Sequence, residues 1–128
     1  MSYAKDQAEF MRLAGQTVGE WNDGQAARYV AHLGEEAEEC AVAWFQRDRV
    51  KLIDGAIDTI VIALGFLHSI GVDPDECWKA VHAANMRKVD GSCGEIVRRP
   101  DGQIGKPGGW YGPENDLRRI VRNGQAGG

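Results

Sequence analysis

Apolar side chains recur at helical spacing through the first ninety residues and lose that period afterwards. Phe10, Leu13, Ala14 and Val18 predict a first amphipathic helix over 4–18. Residues 19–24, with Trp21, Asn22 and Asp23 between two glycines, interrupt the pattern and predict a loop. A second helix is expected over 26–46, with Tyr29, Val30, Leu33, Ala37, Cys40 and Trp44 along one face. Asp48 suits the N-cap of a third helix over 49–70, whose stripe is Ile53, Ile57, Ile60, Val61, Leu64 and Leu67. Gly71 is a natural stop, and Asp73-Pro74 a restart: a capping carboxylate followed by proline at the first helical position. The fourth helix carries Cys77, Trp78, Val81, Ala84 and Asn85 and is expected to end near Lys88, with Trp44 and Trp78 packed in the core.

From Asp90 onward the chain turns rich in Gly, Pro and Arg. Residues 95–98 and 103–106 flank Arg99-Pro100-Asp101-Gly102, which predicts a small hairpin on an Asp-Gly turn. Residues 117–122 are expected to form one further helical turn or two, and 124–128 to be disordered. The reading is an all-α four-helix bundle over 1–90 and a short irregular or hairpin-containing tail over 91–128 that closes over the active site. A chain of 128 residues buries only a modest core, so a homodimer or homotetramer is expected.

Charge sharpens this picture. Nine basic and 15 acidic residues precede position 91, while six basic and four acidic residues follow it. An acidic body excludes a duplex-binding surface, and no apolar run is long and uncharged enough for a membrane span, so neither nucleic acid nor membrane is expected as a partner. Three widely spaced cysteines form no disulfide or zinc pattern, and the first residues carry no export signal, which predicts a cytoplasmic protein.

The acidic residues are not spread as a solvated face would spread them. Glu36 lies three residues after Leu33 and four before Cys40, inside the apolar stripe; Glu39 is one turn beyond Glu35 and Glu36, and only Glu38 points away. Asp54 and Asp58 repeat the theme beside Ile53 and Ile57, on a helix with no cation on that face after Lys51. Carboxylates converging on a core repel one another, so they either hold protons or hold metal. Oxygen-only donors predict a hard cation, Mg²⁺ above all. A di-iron bundle would need Glu-x-x-His pairs, which are absent, and His32, His68 and His82 are read as ordinary interface or surface residues.

Leu33-Gly34-Glu35-Glu36-Ala37-Glu38-Glu39 resembles the E-E-x-x-E signature of the all-α NTP pyrophosphohydrolases, the MazG-like and phosphoribosyl-ATP pyrophosphohydrolase-like group. Asp54-Gly55-Ala56-Ile57-Asp58 follows at a suitable distance; the usual second motif is E-x-x-D, and Gly55 stands where its Glu would be, which resembles the D-G-x-x-D form of phage members. Asn85-Met86-Arg87-Lys88-Val89-Asp90-Gly91 is similar to the N-M-x-K-x-x-G stretch closing the fourth helix, and Lys106-Pro107-Gly108-Gly109-Trp110 resembles the K-P-x-G-W tail of the phage-type subgroup.

The resemblance implies hydrolysis of a nucleoside triphosphate to monophosphate and pyrophosphate, with Glu35, Glu36, Glu39, Asp54 and Asp58 holding two or three Mg²⁺ ions, for which Mn²⁺ can substitute. Glu35 or Glu36 would orient the attacking water. Asn85, Lys88, Lys106 and Arg98 would bind phosphates, with Lys88 as a helix cap and Lys106 as a solvated loop residue the plainer alternatives. Gln16, Trp21, Asn22 and Trp110 are candidates for base recognition. The phage-type pattern implies dGTP or GTP as substrate, in host cytoplasm if phage-encoded. A house-cleaning dNTP pyrophosphatase and a phosphoribosyl-ATP pyrophosphohydrolase are alternatives, and a non-catalytic metal-binding helical oligomer is the alternative of a different class.

Overall fold

The computed structural model describes residues 2–126. They form five helices and no strand: α1 (Tyr3–Leu13), α2 (Asp23–Phe45), α3 (Arg49–Ser69), α4 (Pro74–Met86) and α5 (Glu114–Ala126), an all-α fold consistent with a MazG-like bundle. Backbone contacts divide the chain into two compact units, one up to Pro74 and one from Asp75 onward. No helix among the described residues is long and apolar enough to cross a membrane.

In the first unit α2 packs along α3, and α1 lies against α3. Ala4, Gln7, Ala8 and Met11 are the buried positions of α1, spaced as one helical face. The helix ends earlier than its periodicity predicts, because Gly15 adopts φ +78° and donates to Arg12 O while Gln16 donates to Met11 O. That paired closure satisfies two orphan carbonyls and leaves Val18 in the following loop. α2 starts three residues sooner than expected, since the Asn22 side chain accepts from Gln25 N and caps it.

The α2 face that meets α3 runs through Ala26, Tyr29, Leu33, Cys40 and Ala43, whereas Val30, Ala37 and Trp44 lie exposed. α3 corrects the sequence expectation more sharply. Its isoleucine stripe is continuous but faces outward, with Ile53 66% and Ile57 54% exposed. The seam toward α2 is built from small residues instead: a Cβ at Gly55 would stand 3.5 Å from Cys40 Cβ, and one at Gly65 would fall within 2.8 Å of three Tyr29 ring atoms. Glycine lets the two helices approach this closely, and Cys40 opposite Gly55 with Tyr29 opposite Gly65 makes them antiparallel. Ile57, Ile60, Val61 and Leu64 line an open groove of about 380 Å³ with Tyr3, Asp6 and Gln7.

The loop between α1 and α2 is held by polar contacts. Gly19 N donates to His68 O and Asn22 N to Ser69 O, at 3.1 and 2.8 Å. Gln25 is buried and uses its whole amide: Oε1 accepts from Thr17 N, and Nε2 donates to Thr17 O and Ser69 Oγ. His68, expected at an interface or on the surface, is instead buried, with Nε2 2.8 Å from Ala4 O, so it ties α3 to α1. α2 closes like α1, but with Arg47 at φ +56° in the place of a glycine, its guanidinium 4.2 Å from the Trp44 ring.

The second unit holds α4, a long turn-rich segment and α5. Ala80 and Ala84 are the buried face of α4, while Trp78 is 72% exposed, so neither it nor Trp44 is a core residue. The predicted hairpin is present as one antiparallel bridge, Arg98 to Ile104, with Gly102 at φ +86°. α5 is longer than the turn or two expected and includes Gly124, Gln125 and Ala126; residues 127 and 128 lie outside those described. Glu114 and Asp116 in its first turn, and Leu117 and Ile120 one turn apart, account for the extension.

Candidate active site

The α2–α3 seam fixes where the acids go. From Cys40 and Gly55, which touch, one turn back along α2 reaches Glu36 and one turn on along α3 reaches Asp58. Both are partly buried, and Glu39 and Asp54 flank them on the more exposed side. The Glu36 carboxyl is held above its ordinary value, first by partial withdrawal from water, then by repulsion from Glu39, Asp58 and Asp54, with His32 opposing. Three of the other four predicted acids therefore act electrically on Glu36. Glu35 is set apart: it lies 3.4 Å from His32 Nδ1 on the exposed side of the helix.

Among the described residues His32 is the cation that acts on Glu36, and the donors of the group are all carboxylate oxygens. Such a set fits a hard divalent cation. Among the described residues no three His, Cys, Asp or Glu side chains stand close enough together to enclose an ion.

Because Glu36 holds its proton more tightly in the folded chain than in the unfolded one, the metal-free protein loses stability as pH rises through that interval. Replacing Glu36 by Gln removes this dependence. Thermal unfolding in chelator is expected to give E36Q a higher Tm than the native chain at pH 7 and the same Tm below about pH 4, the lower end of the glutamate range. Equal Tm values at every pH would mean that the repulsion is absent.

The residues proposed for base recognition are mostly engaged in the fold. Asn22 uses its oxygen on Gln25 N and its Nδ2 on Thr17 Oγ1. Gln16 Oε1 accepts from Tyr29 OH, leaving its amide nitrogen. Trp21 is bridged through its backbone to Ile70 and presents its ring to solvent.

In the second unit Asn85, Lys88, Lys106 and Trp110 come together. Lys88 Nζ lies 5.2 Å and Lys106 Nζ 4.8 Å from the Trp110 ring centroid, and Lys88 also donates to Asn85 Oδ1 at 3.1 Å. Arg98 is not among them; it lies exposed in the bridge to Ile104. Sequence reasoning missed Arg87, which donates to Tyr111 O and Gly112 O and stacks 3.9 Å from the Tyr111 ring centroid. Its position inside the Asn-Met-Arg-Lys stretch was the available signal. Asp90 takes two bonds from Ser92, side chain and backbone, which hold its carboxyl below the ordinary value.

No curated protein matches the chain. Residues 9–85, more than half of it and including every acid of the α2–α3 seam, match the phosphoribosyl-ATP pyrophosphohydrolase family. Enzymes of that family are hydrolases of phosphoanhydride bonds that typically use divalent metal ions. The protein belongs to the phosphoribosyl-ATP pyrophosphohydrolase family, within the MazG-like all-α NTP pyrophosphohydrolases, and is a nucleotide pyrophosphohydrolase.

Proposed function

We propose that the chain hydrolyses dGTP or GTP to the monophosphate and pyrophosphate, using Mg²⁺. The observation that carries the reading is the repulsion of Glu36 by Glu39, Asp58 and Asp54 at the α2–α3 seam, opposed by His32. These four, with Glu35 at the edge, would hold two or three ions, and Mn²⁺ would substitute. A divalent ion held by these residues would neutralise triphosphate charge and make the attacking water easier to deprotonate. Glu36, the acid at the centre of the group, would accept the proton from the water attacking next to the α-phosphate. Glu35, beside His32, is the second candidate for that proton.

Asn85, Lys88, Lys106 and Arg98 have the donor chemistry for phosphate oxygens. The open ring of Trp21 suits stacking, and the remaining amide nitrogen of Gln16 suits the acceptors on a guanine edge. The choice of dGTP or GTP rests on the phage-type resemblance of the tail around Lys106 and Trp110, beyond the 9–85 family match. The family's own name supports a second reading, phosphoribosyl-ATP as substrate.

The test is incubation with Mg²⁺ and each of the eight common NTPs and dNTPs, separating pyrophosphate from phosphate. Pyrophosphate released mainly from dGTP and GTP is the expected result. Hydrolysis spread over all bases would point to house-cleaning, and turnover of phosphoribosyl-ATP alone would replace the substrate.

A homodimer or homotetramer belongs to this reading. Val50, Ile53, Ile57 and Ile60 form one uninterrupted exposed stripe, and a second copy covering it would bury surface that a lone chain leaves to water. The double substitution Ile53→Glu, Ile57→Glu is expected to shift the protein to monomer in sedimentation or light scattering while helix content is unchanged. A native chain that already sediments as a monomer at tens of micromolar would exclude the assembly.

A further inference from the structure

We infer that the open groove between α1 and α3 of one copy receives the α2–α3 turn of a second copy, with Arg49 of each chain paired to Asp6 of the other. This docking rests on the reading of the protein as a homo-oligomer and names the surfaces that meet. Asp6 lines the groove with Tyr3, Ile57 and Ile60. Along α1 it stands between Tyr3 and Phe10, both exposed, so one carboxylate interrupts an apolar stripe. Any surface that covers this stripe takes Asp6 out of water, which is costly unless that surface brings a cation.

The α2–α3 turn carries such a cation in a matching setting. Arg49 is exposed, and Phe45 before it and Val50 after it are 82% and 77% exposed. It opens α3, where the positive end of the helix dipole disfavours a cation, so its own helix does not account for its charge. Among the described residues neither Arg49 nor Asp6 has an ion-pair partner. Within one chain the two are far apart. Ala4, two residues before Asp6, meets the His68 side chain at the far end of α3, and His68 lies nineteen positions from Arg49, about 28 Å of helix. An antiparallel pair of α3 helices removes that separation. With a two-fold axis between Ile53 and Ile57, Ile53 meets the partner subunit's Ile57 and Val50 meets the partner's Ile60. Arg49 then comes level with the partner's Val61, which lines the groove with Asp6.

The experiment is sedimentation of the full-length chain over a concentration series, reading the dissociation constant of the pair, with circular dichroism to follow helix content. Asp6→Arg and Arg49→Asp each place like charges at both symmetric contacts and are expected to weaken the pair at least about tenfold. The two variants mixed in equal amounts are expected to recover native affinity, because one contact of the mixed pair is then native and the other is the same ion pair reversed. A chain carrying both substitutions should recover it likewise. Asp6→Asn and Arg49→Gln, which add no repulsion, should each weaken the pair about threefold, and they carry the test if a charge-reversed chain loses helix content.

Native affinity in every charge variant would overturn this docking while leaving an oligomer built through other surfaces. Weakened single variants that do not recover on mixing would overturn the pairing of Arg49 with Asp6. A native chain that stays monomeric throughout the series would overturn the docking and the oligomer together, and leave the groove to a different occupant. Because no nucleotide is present in any of these measurements, the result stands apart from the reaction proposed above.

Discussion

Glu36→Gln and Asp58→Asn are each expected to lower turnover by at least about a hundredfold while leaving the helical fold intact. Both substitutions keep size and shape and remove one negative charge at the centre of the α2–α3 seam. Glu36 stands where three other carboxylates act on it, so neutralising it lowers the field that would hold a divalent ion. Asp58 is reached from Gly55 by one turn and repels Glu36 electrostatically. Circular dichroism and a metal-dependent pyrophosphate-release assay on the two variants check the expectation. Glu38→Gln, on the exposed side, is the internal control and should retain activity. If E36Q and D58N hydrolyse nucleotide at the native rate, the seam is not the catalytic centre.

Gly65→Ala is expected to be the most damaging single methyl group that can be added to the first unit. A Cβ there would fall within 2.8 Å of the Tyr29 Cε1, Cζ and Cδ1 atoms. The ring cannot simply swing away: it is buried, and its hydroxyl is hydrogen-bonded to Gln16. Either α2 and α3 separate or the Gln16 contact breaks. Overpacking of this kind costs about 1–3 kcal/mol, which for a chain of this size lowers Tm by roughly 4 °C per kcal/mol. Tyr29→Ala placed in the same chain should recover part of the loss that each change causes alone, a coupling a double-mutant cycle reads directly. Gly55→Ala is the contrast, since its Cβ would meet Cys40 at an ordinary 3.5 Å and helix propensity favours alanine. Should Gly65→Ala melt at the native temperature, the close approach at Tyr29 is not a constraint on the fold.

The acids were legible because charge inside an apolar stripe contradicts the pattern around it, and Glu36 sits between Leu33 and Cys40 in the structure as the spacing requires. Helix starts at Asp48 and Pro74 were legible for a similar local reason: their capping chemistry lies within a few residues. The direction of the isoleucine stripe was not. Periodicity identifies a face but not what meets it, and here Gly55 and Gly65 let α2 claim the opposite side. The end of α1 was missed because Val18 continues the period while Gly15, at φ +78°, breaks the backbone. Nor could spacing foresee the gathering of Lys88 and Lys106 on Trp110, since it depends on a turn-rich segment returning to α4.

The loop that carries Trp21 is pinned at four points: by Gly19 and Asn22 to the end of α3, and by both halves of the buried Gln25 amide to Thr17. A flexible loop gives up conformational entropy when a ligand orders it, and that loss is subtracted from the affinity. Here the chain has met that cost during folding. A planar ring stacking on Trp21 would surrender only its own freedom, so even a small contact area there can discriminate among ligands.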